Sequence, residues 1–225
     1  MPSSALMRNN MMLGQLMTND IADTRILAAM TEIPREPFLP EALRGAAYVD
    51  EDLSVGGGRY IMEPLTFAKL LDLAEITPDC RVLTIGALSG YSAAILSRLA
   101  GHVVAIDTDA SAIQEAQAHM QRLGITNVSA HHVKNMAEGY ALSAPYDVIV
   151  IQGAINFVPE ALGAQMILGG RLVAVRNIAQ RVDSTGGLGK GLVVTKLDGQ
   201  LQHREHFDAS CPVLPGFEQE TGFRF

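Results

Sequence analysis

Arg81-Val82-Leu83-Thr84-Ile85-Gly86-Ala87-Leu88-Ser89-Gly90-Tyr91 is the stretch whose reading decides the fold. An apolar β-type run ends in a glycine turn. Helical spacing then runs through Ser92-Ala93-Ala94-Ile95-Leu96-Ser97-Arg98-Leu99. Strand, tight turn and helix bring backbone N–H groups close to a nucleotide-like ligand at a helix N-terminus. Val103-Val104-Ala105-Ile106-Asp107 follows as a short buried-type strand with a carboxylate at its C-terminal tip, a position suited to the hydroxyls of a ribose. Together the two predict a nucleoside-containing cofactor in a doubly wound α/β sheet.

The 225 residues fit one α/β domain, and an apolar share of 48% supports a sizeable core. A net charge of −7 leaves no basic footprint for a phosphate backbone, so nucleic acid is not an expected partner. Cys80 and Cys211 are too few for a disulfide framework or a zinc cluster and fit a reducing cytoplasm. Arg8 precedes no continuous apolar stretch, so no signal peptide is read, and no run has the length of a membrane span. The expected location is cytoplasmic.

Residues 6–32 read as helical, with Leu6, Met7, Met11, Leu16 and Met17 in one apolar group and Ile21, Ile26, Leu27 and Met30 in another. Asn19 or Asp20 is the expected cap of the second helix. The methionine stripe reads as core packing, and offers a homodimer surface as the alternative. Pro34, Pro37 and Pro40 predict an extended segment anchored by Phe38 and Leu39. Asp50-Glu51-Asp52 reads as a solvated loop, and Gly56-Gly57-Gly58 as the tip of a flexible hairpin. Helices are expected over Leu65–Ala74, over Ala110–Leu123 behind a Thr108/Asp109 cap, and over Pro159–Met166. Further strands are expected at Asn127–Val133, Tyr146–Ile151 and Gly169–Val175. From Ser184 the pattern becomes a glycine-rich loop (Gly186, Gly187, Gly189, Gly191), then Leu192–Leu197 and Leu201–Phe207 as an antiparallel edge hairpin. Alternating strands and helices up to residue 175 predict a Rossmann-like, mostly parallel sheet. The division is 1–64 as an N-terminal helical and loop extension, 65–183 as the cofactor core and 184–225 as edge strands.

Matches distributed along the chain resemble the protein-L-isoaspartate O-methyltransferases. Gln15-Leu16, Asp23 to Met30, Ile33-Pro34-Arg35 and Phe38-Leu39-Pro40 follow the family's N-terminal block. Ala47-Tyr48, Asp50, Leu53, Gly56, Gly58, Ile61 and Pro64 follow its substrate loop. Val82-Leu83, Ile85-Gly86, Ser89-Gly90-Tyr91 and Ala93-Ala94 follow the first cofactor motif. Ala144 to Asp147, Pro159 and Gly169 to Val173 follow the later strands, so the likeness covers residues 8–176. It implies a fold of the S-adenosylmethionine-dependent methyltransferase type, S-adenosylmethionine as cofactor, and methyl transfer to the misplaced carboxylate of an isoaspartyl protein or peptide. It places Gly86, Ala87, Leu88, Ser89 and Gly90 at the cofactor's methionine part, Asp107 and Thr108 at the ribose, and Lys134, Asn135 and Gln152 around the remainder.

Departures fall on the chemistry. The family has an acidic residue where Thr84 stands, a glycine-threonine-glycine-like turn at Gly86-Ala87-Leu88, and a glycine-aspartate-glycine stretch near Val133-Lys134-Asn135. A non-glycine residue held at positive φ costs about 1–2 kcal/mol. A lost carboxylate–donor hydrogen bond costs roughly 1.5–3 kcal/mol. Two or three such losses weaken a micromolar ligand to the millimolar range. Met62 replaces a serine implicated in holding the acceptor carboxylate, and Arg59-Tyr60 stand where the family has glutamine-threonine. Arg59 as a bidentate clamp and Tyr60 as a hydroxyl donor are the expected replacements on the acceptor side. An active methyltransferase, a family member kept as a binding or scaffold protein, and a methyltransferase with a smaller acceptor are the three readings. No metal is expected: His131 and His132 point to opposite faces of a strand, and His203 and His206 read as surface residues. Cys211 reads as part of an irregular tail.

Overall fold

A computed structural model of the chain describes residues 3–178 and 187–218. Helix α1 (Ser4–Met11) opens under the Ser3 side chain and runs on through a π-helical turn at Met12–Leu16. A short 3₁₀ turn, Met17–Asn19, ends at Asp20 in the left-handed conformation (φ 64°). Helix α2 (Thr24–Glu32) is capped by Asp23, whose carboxylate accepts from Arg25 N at 2.8 Å, rather than by Asn19 or Asp20. Asp20 closes the preceding turn and is thereby unavailable as a cap. Met11, Met12, Leu16, Ile26 and Met30 are buried, while Leu6, Leu13 and Met17 remain exposed.

The proline segment folds as two 3₁₀ turns, Glu36–Phe38 and Glu41–Ala46, rather than extended. The fixed proline φ suits such turns as well as it suits a strand. Phe38 and Leu39 are buried, as their anchoring role requires. A hairpin follows, β1 (Leu53–Gly56) against β2 (Arg59–Ile61), with Gly56, Gly57 and Gly58 all at positive φ. Helix α3 (Pro64–Ala74) then begins with its first amides tied to the acidic run. Asp52 Oδ1 accepts from Glu63 N at 2.8 Å and Asp50 Oδ1 from Leu65 N at 3.1 Å. The run is therefore a fastening for a helix N-terminus, where amides lack intrahelical partners, and not merely a solvated loop.

The sheet is built from β3 (Arg81–Ile85), β4 (His102–Asp107), β5 (Val128–His132), β6 (Tyr146–Ile155), β7 (Met166–Asn177), β8 (Gly187–Leu197) and β9 (Gln200–Cys211). Their order is β5-β4-β3-β6-β7-β8-β9, parallel from β5 to β7 and antiparallel from β7 through β9. Helices α4 (Tyr91–Leu96), α5 (Ala110–Arg122) and α6 (Glu160–Ala164) are inserted between the parallel strands. The chain leaves β3 for β4 and β5 on one side, then returns to β6 on the other. The C-terminal end of β3 therefore lies at the topological switch point, where open α/β sheets bind ligands.

Alternate residues divide the core. Val82, Val103, Ala105, Val148 and Val173 pack with α1 to α5. Leu83, Ile85, Val104, Ile106 and Ile149 face the other way, against Leu162, Met136, Leu214 and Phe217. Among the described residues, that second face is covered by α6, the 3₁₀ turns at Met136–Glu138 and Ala141–Ser143, and the chain around Leu214 and Phe217.

The glycine-rich stretch corrects the sequence reading. Gly187, Gly189 and Gly191 lie within β8 and not in a loop, while Ser184 and Gly186 fall outside the described residues. A Cβ on Gly191 would lie 2.4 Å from the Phe207 ring, and one on Gly189 would lie 2.7 Å from the Arg176 carbonyl, so close packing accounts for both glycines. Cys211 ends β9, buried, instead of lying in an irregular tail. Among the described residues, no helix is long and apolar enough to cross a membrane.

Candidate active site

The bend after β3 is tied to the tip of β4. Gly86 N and Ala87 N both donate to the Ile106 carbonyl, at 3.0 and 3.1 Å. Leu88 sits at φ 48°, the left-handed position foreseen for it, and its N–H donates to Asp107 Oδ2 at 2.9 Å. The bend and the carboxylate are thus joined directly, with the carboxylate buried behind the bend. Gly90, at φ 96°, opens α4.

Asp107 has no exposed surface, and its carboxylate is already saturated. Arg59 Nη1 donates to Oδ1 and Nη2 to Oδ2, each at 2.8 Å. Asp109 N adds a bond to Oδ1 at 3.0 Å. Arg59 clamps a carboxylate bidentately, as its chemistry predicts, but that carboxylate is Asp107 and not a methyl acceptor. Arg59 is the first residue of β2 and follows directly on the three left-handed glycines, so the hairpin carries the guanidinium over the bend.

The other side of the bend is filled by residues 212–217. Ala154 N donates to Pro212 O and Leu214 N to Ala154 O, so the segment adds itself to the end of β6. Asn156 N holds Phe217 O at 3.1 Å. Leu214 is buried, with Cδ1 and Cδ2 at 3.0 and 3.2 Å from where a Cβ on Gly86 would stand. Gly216 passes beside Asn135. The space left at the bend is a cavity of about 20 Å³, lined by Tyr60, Met62, Gly86, Leu88, Tyr91 and Gln152 among others. Gln152 Nε2 and the Tyr91 hydroxyl are both buried there without a hydrogen-bond partner.

The remaining candidates scatter. Thr108 and Lys134 are exposed. Asn135, also exposed, caps a 3₁₀ turn by accepting from Ala137 N at 3.0 Å. Ser89 is buried and donates to the Phe38 carbonyl at 2.6 Å, which leaves its hydroxyl committed to the proline segment. Met62 is buried, and its carbonyl accepts from Arg35 Nη2 at 2.6 Å. Arg35 itself is completely buried, with its Nε and Nη1 unpaired, and stands 5.1 Å from the Tyr91 ring centre. Burial lowers its pKa. Arg35 entered the sequence reading only within the Ile33-Pro34-Arg35 match, with no role, and Leu214 not at all, since nothing local marks a buried cation or a tail residue that returns to the bend.

On the far side of Leu88 lies a cleft of about 520 Å³ between the proline segment and α5, lined by Phe38, Leu39, Arg44, Glu115, His119 and Arg122 among others. Leu88, Ser89 and Ile61 line both spaces and form the wall between them. Elsewhere, His131 is engaged with Tyr140, the rings 4.4 Å apart and nearly parallel, and His203 and His206 are exposed. Among the described residues, no three His, Cys, Asp or Glu side chains are grouped to hold a metal ion.

The sequence pattern of the protein-L-isoaspartate(D-aspartate) O-methyltransferases matches residues 7–201. A protein-L-isoaspartate O-methyltransferase of Rhodopseudomonas palustris is 38% identical over 171 residues, covering 76% of this chain and 69% of its own. Another, from Shewanella sediminis, is 41% identical over 166 residues, covering 74% of this chain and 68% of its own. A solved protein-L-isoaspartate O-methyltransferase superposes with a TM-score of 0.77 at 26% identity, over 93% of this chain and 67% of that one. A Plasmodium falciparum protein assigned to the same activity and solved with S-adenosyl-L-homocysteine shares the fold, with a TM-score of 0.74 at 18% identity, over 96% of this chain and all of that one. The chain belongs to the protein-L-isoaspartate O-methyltransferase family.

Proposed function

We propose that this chain carries the family's activity, methyl transfer from S-adenosylmethionine to the misplaced carboxylate of an isoaspartyl residue in damaged protein. The observation that carries the reading is the placement of Asp107 at the tip of β4, beside the Gly86 bend, at the sheet's switch point. Such an acceptor is ionised at neutral pH, since an unperturbed carboxyl titrates at about 3.9, so the reaction needs placement and exclusion of water more than a strong base. The cleft beyond Leu88 has the breadth to admit a peptide segment, and its lining carries both charges, Arg44 and Arg122 with Glu41, Asp109 and Glu115.

With Arg59 and Leu214 where they stand, the bend is closed to the cofactor. Both oxygens of Asp107 are taken, Leu214 covers the bend, and about 20 Å³ is room for a single water where ligand pockets span about 300–1,000 Å³. The same closure favours a second reading, a family member that binds isoaspartyl protein without transferring a methyl group. A methylation assay with an isoaspartyl peptide and its ordinary aspartyl counterpart separates the two. Methyl ester formed on the first peptide alone supports transfer; none on either leaves the binding role.

A further inference from the structure

We infer that this chain supplies its own occupant of the adenosyl site, Arg59 standing in for the ribose and Leu214 for the atoms that approach the glycine bend, so that an adenosyl ligand binds only by displacing them. The inference rests on the reading of Asp107 and the Gly86 bend as the family's cofactor crevice, and concerns what fills it.

Two independent contacts meet there. A buried carboxylate at a strand tip can bind two vicinal hydroxyls because both of its oxygens accept hydrogen bonds. The guanidinium fork of Arg59 offers two parallel donors at the same spacing, each 2.8 Å from an oxygen, and adds the opposite charge. A neutral diol competing for Asp107 must therefore replace a charge-assisted pair. Leu214, held by backbone bonds to Ala154, stands with Arg59 Nη2 in the volume that the missing Gly86 side chain leaves open. Gly86 thus keeps the conformation that admits a ligand backbone-close, while the chain itself uses the opening.

Sequence chemistry agrees with this assignment. Arg59, one of the positions at which the chain departs from the family pattern, reaches that carboxylate with its side chain, and Leu88, another, reaches it with its backbone N–H. The acquired cation and the retained anion form a matched set.

The test is calorimetric titration of the full chain with S-adenosylhomocysteine, in the wild type and in Arg59→Gln, Arg59→Lys and Leu214→Ala. Arg59→Gln is expected to bind at least about tenfold more tightly than wild type, a difference of about 1.4 kcal/mol. Leu214→Ala should gain less, because the ion pair remains. If Arg59→Gln does not fold, Arg59→Lys, which keeps the charge and loses the fork, carries the same expectation with a smaller gain. Equal or weaker binding in the Arg59 variants, or no binding by any protein, overturns the inference. Tighter binding in Arg59→Gln without methylation of an isoaspartyl peptide by any variant upholds self-occupancy and removes the transfer reading. Methylation by wild type with unchanged affinity in the Arg59 variants does the reverse.

Discussion

Arg59 and Asp107, 48 residues apart in sequence, form a two-pronged ion pair in which both nitrogen–oxygen distances are 2.8 Å and the carboxylate has no exposed surface. Such a pair is worth little against a well-packed apolar substitute, but breaking it from one side leaves a buried charge without its counter-ion.

Arg59→Met is therefore expected to lower unfolding stability by about 3–5 kcal/mol, because the Leu88 and Asp109 amides alone must then hold the carboxylate. Asp107→Asn in the same background should return part of that loss, so the double variant should be less destabilised than the sum of the singles. Urea unfolding of the four proteins measures the coupling. Strict additivity would mean that the two side chains do not depend on each other.

The fold was legible because its central strands are long enough and apolar enough for period and length to agree. Val82 to Ile85 and Val103 to Ile106 read as buried strands, and β3 and β4 lie where they were expected. Local capping was less legible: Asn19, Asp20 and Asp23 are chemically equivalent caps, and only the left-handed turn at Asp20 selects the last. The glycines of β8 misled because glycine signals a turn and close packing alike, and only the position of Phe207 on the neighbouring strand decides between them. At the site, Arg59 was recognisable as a carboxylate clamp from its chemistry. Which carboxylate it meets depends on how a hairpin folds over a bend far away in sequence, and no local pattern encodes that.

Alkaline pH should expose two buried phenols. Burial pushes the Tyr48 and Tyr146 hydroxyls up to about 12 from the ordinary phenol value of 10.0, with the bond from Tyr48 to Glu36 adding to the first. Folding favours the neutral form of each. Their contribution is fully present below pH 10 and is lost as pH rises toward 12. Each accounts for at most about 2–3 kcal/mol. Denaturant midpoints should fall more steeply above pH 10, beyond the loss that the buried Cys211 thiol begins near 9, and Tyr146→Phe should flatten the steeper part while costing about 1 kcal/mol at neutral pH for its lost bond to the Tyr140 carbonyl. Phenolate absorbance showing all tyrosines ionising together in the intact fold would sink this expectation.

The two thiols should differ sharply in reactivity. Cys211 is buried at the end of β9, and burial followed by the neighbouring Asp52 carboxylate raises its pKa well above the ordinary thiol value. Cys80 is half-buried at a turn, where its sulfur faces Thr77. An aromatic disulfide reagent at mildly alkaline pH should modify Cys80 alone, and Cys211 only after denaturant is added. Cys80→Ser should abolish the reaction of the native protein. Two equivalents released at one rate from the folded chain would contradict the placement of Cys211.

Gly191 provides the last test, because it distinguishes a glycine kept for packing from one kept for a turn. It faces the Phe207 ring across the β8–β9 pair, at the point where the register shifts between Lys190 and Leu192. A Cβ there would meet three ring atoms at 2.4, 2.7 and 2.7 Å, so alanine forces the ring or the strand aside. Overpacking of this kind costs about 1–3 kcal/mol. Gly191→Ala should show that loss in thermal or urea unfolding, and Phe207→Leu should recover part of it when combined with the first change, since the smaller side chain vacates the contested space. A turn glycine would respond differently: the loss would persist whatever stood at position 207, because the strain would lie in the backbone and not against the ring.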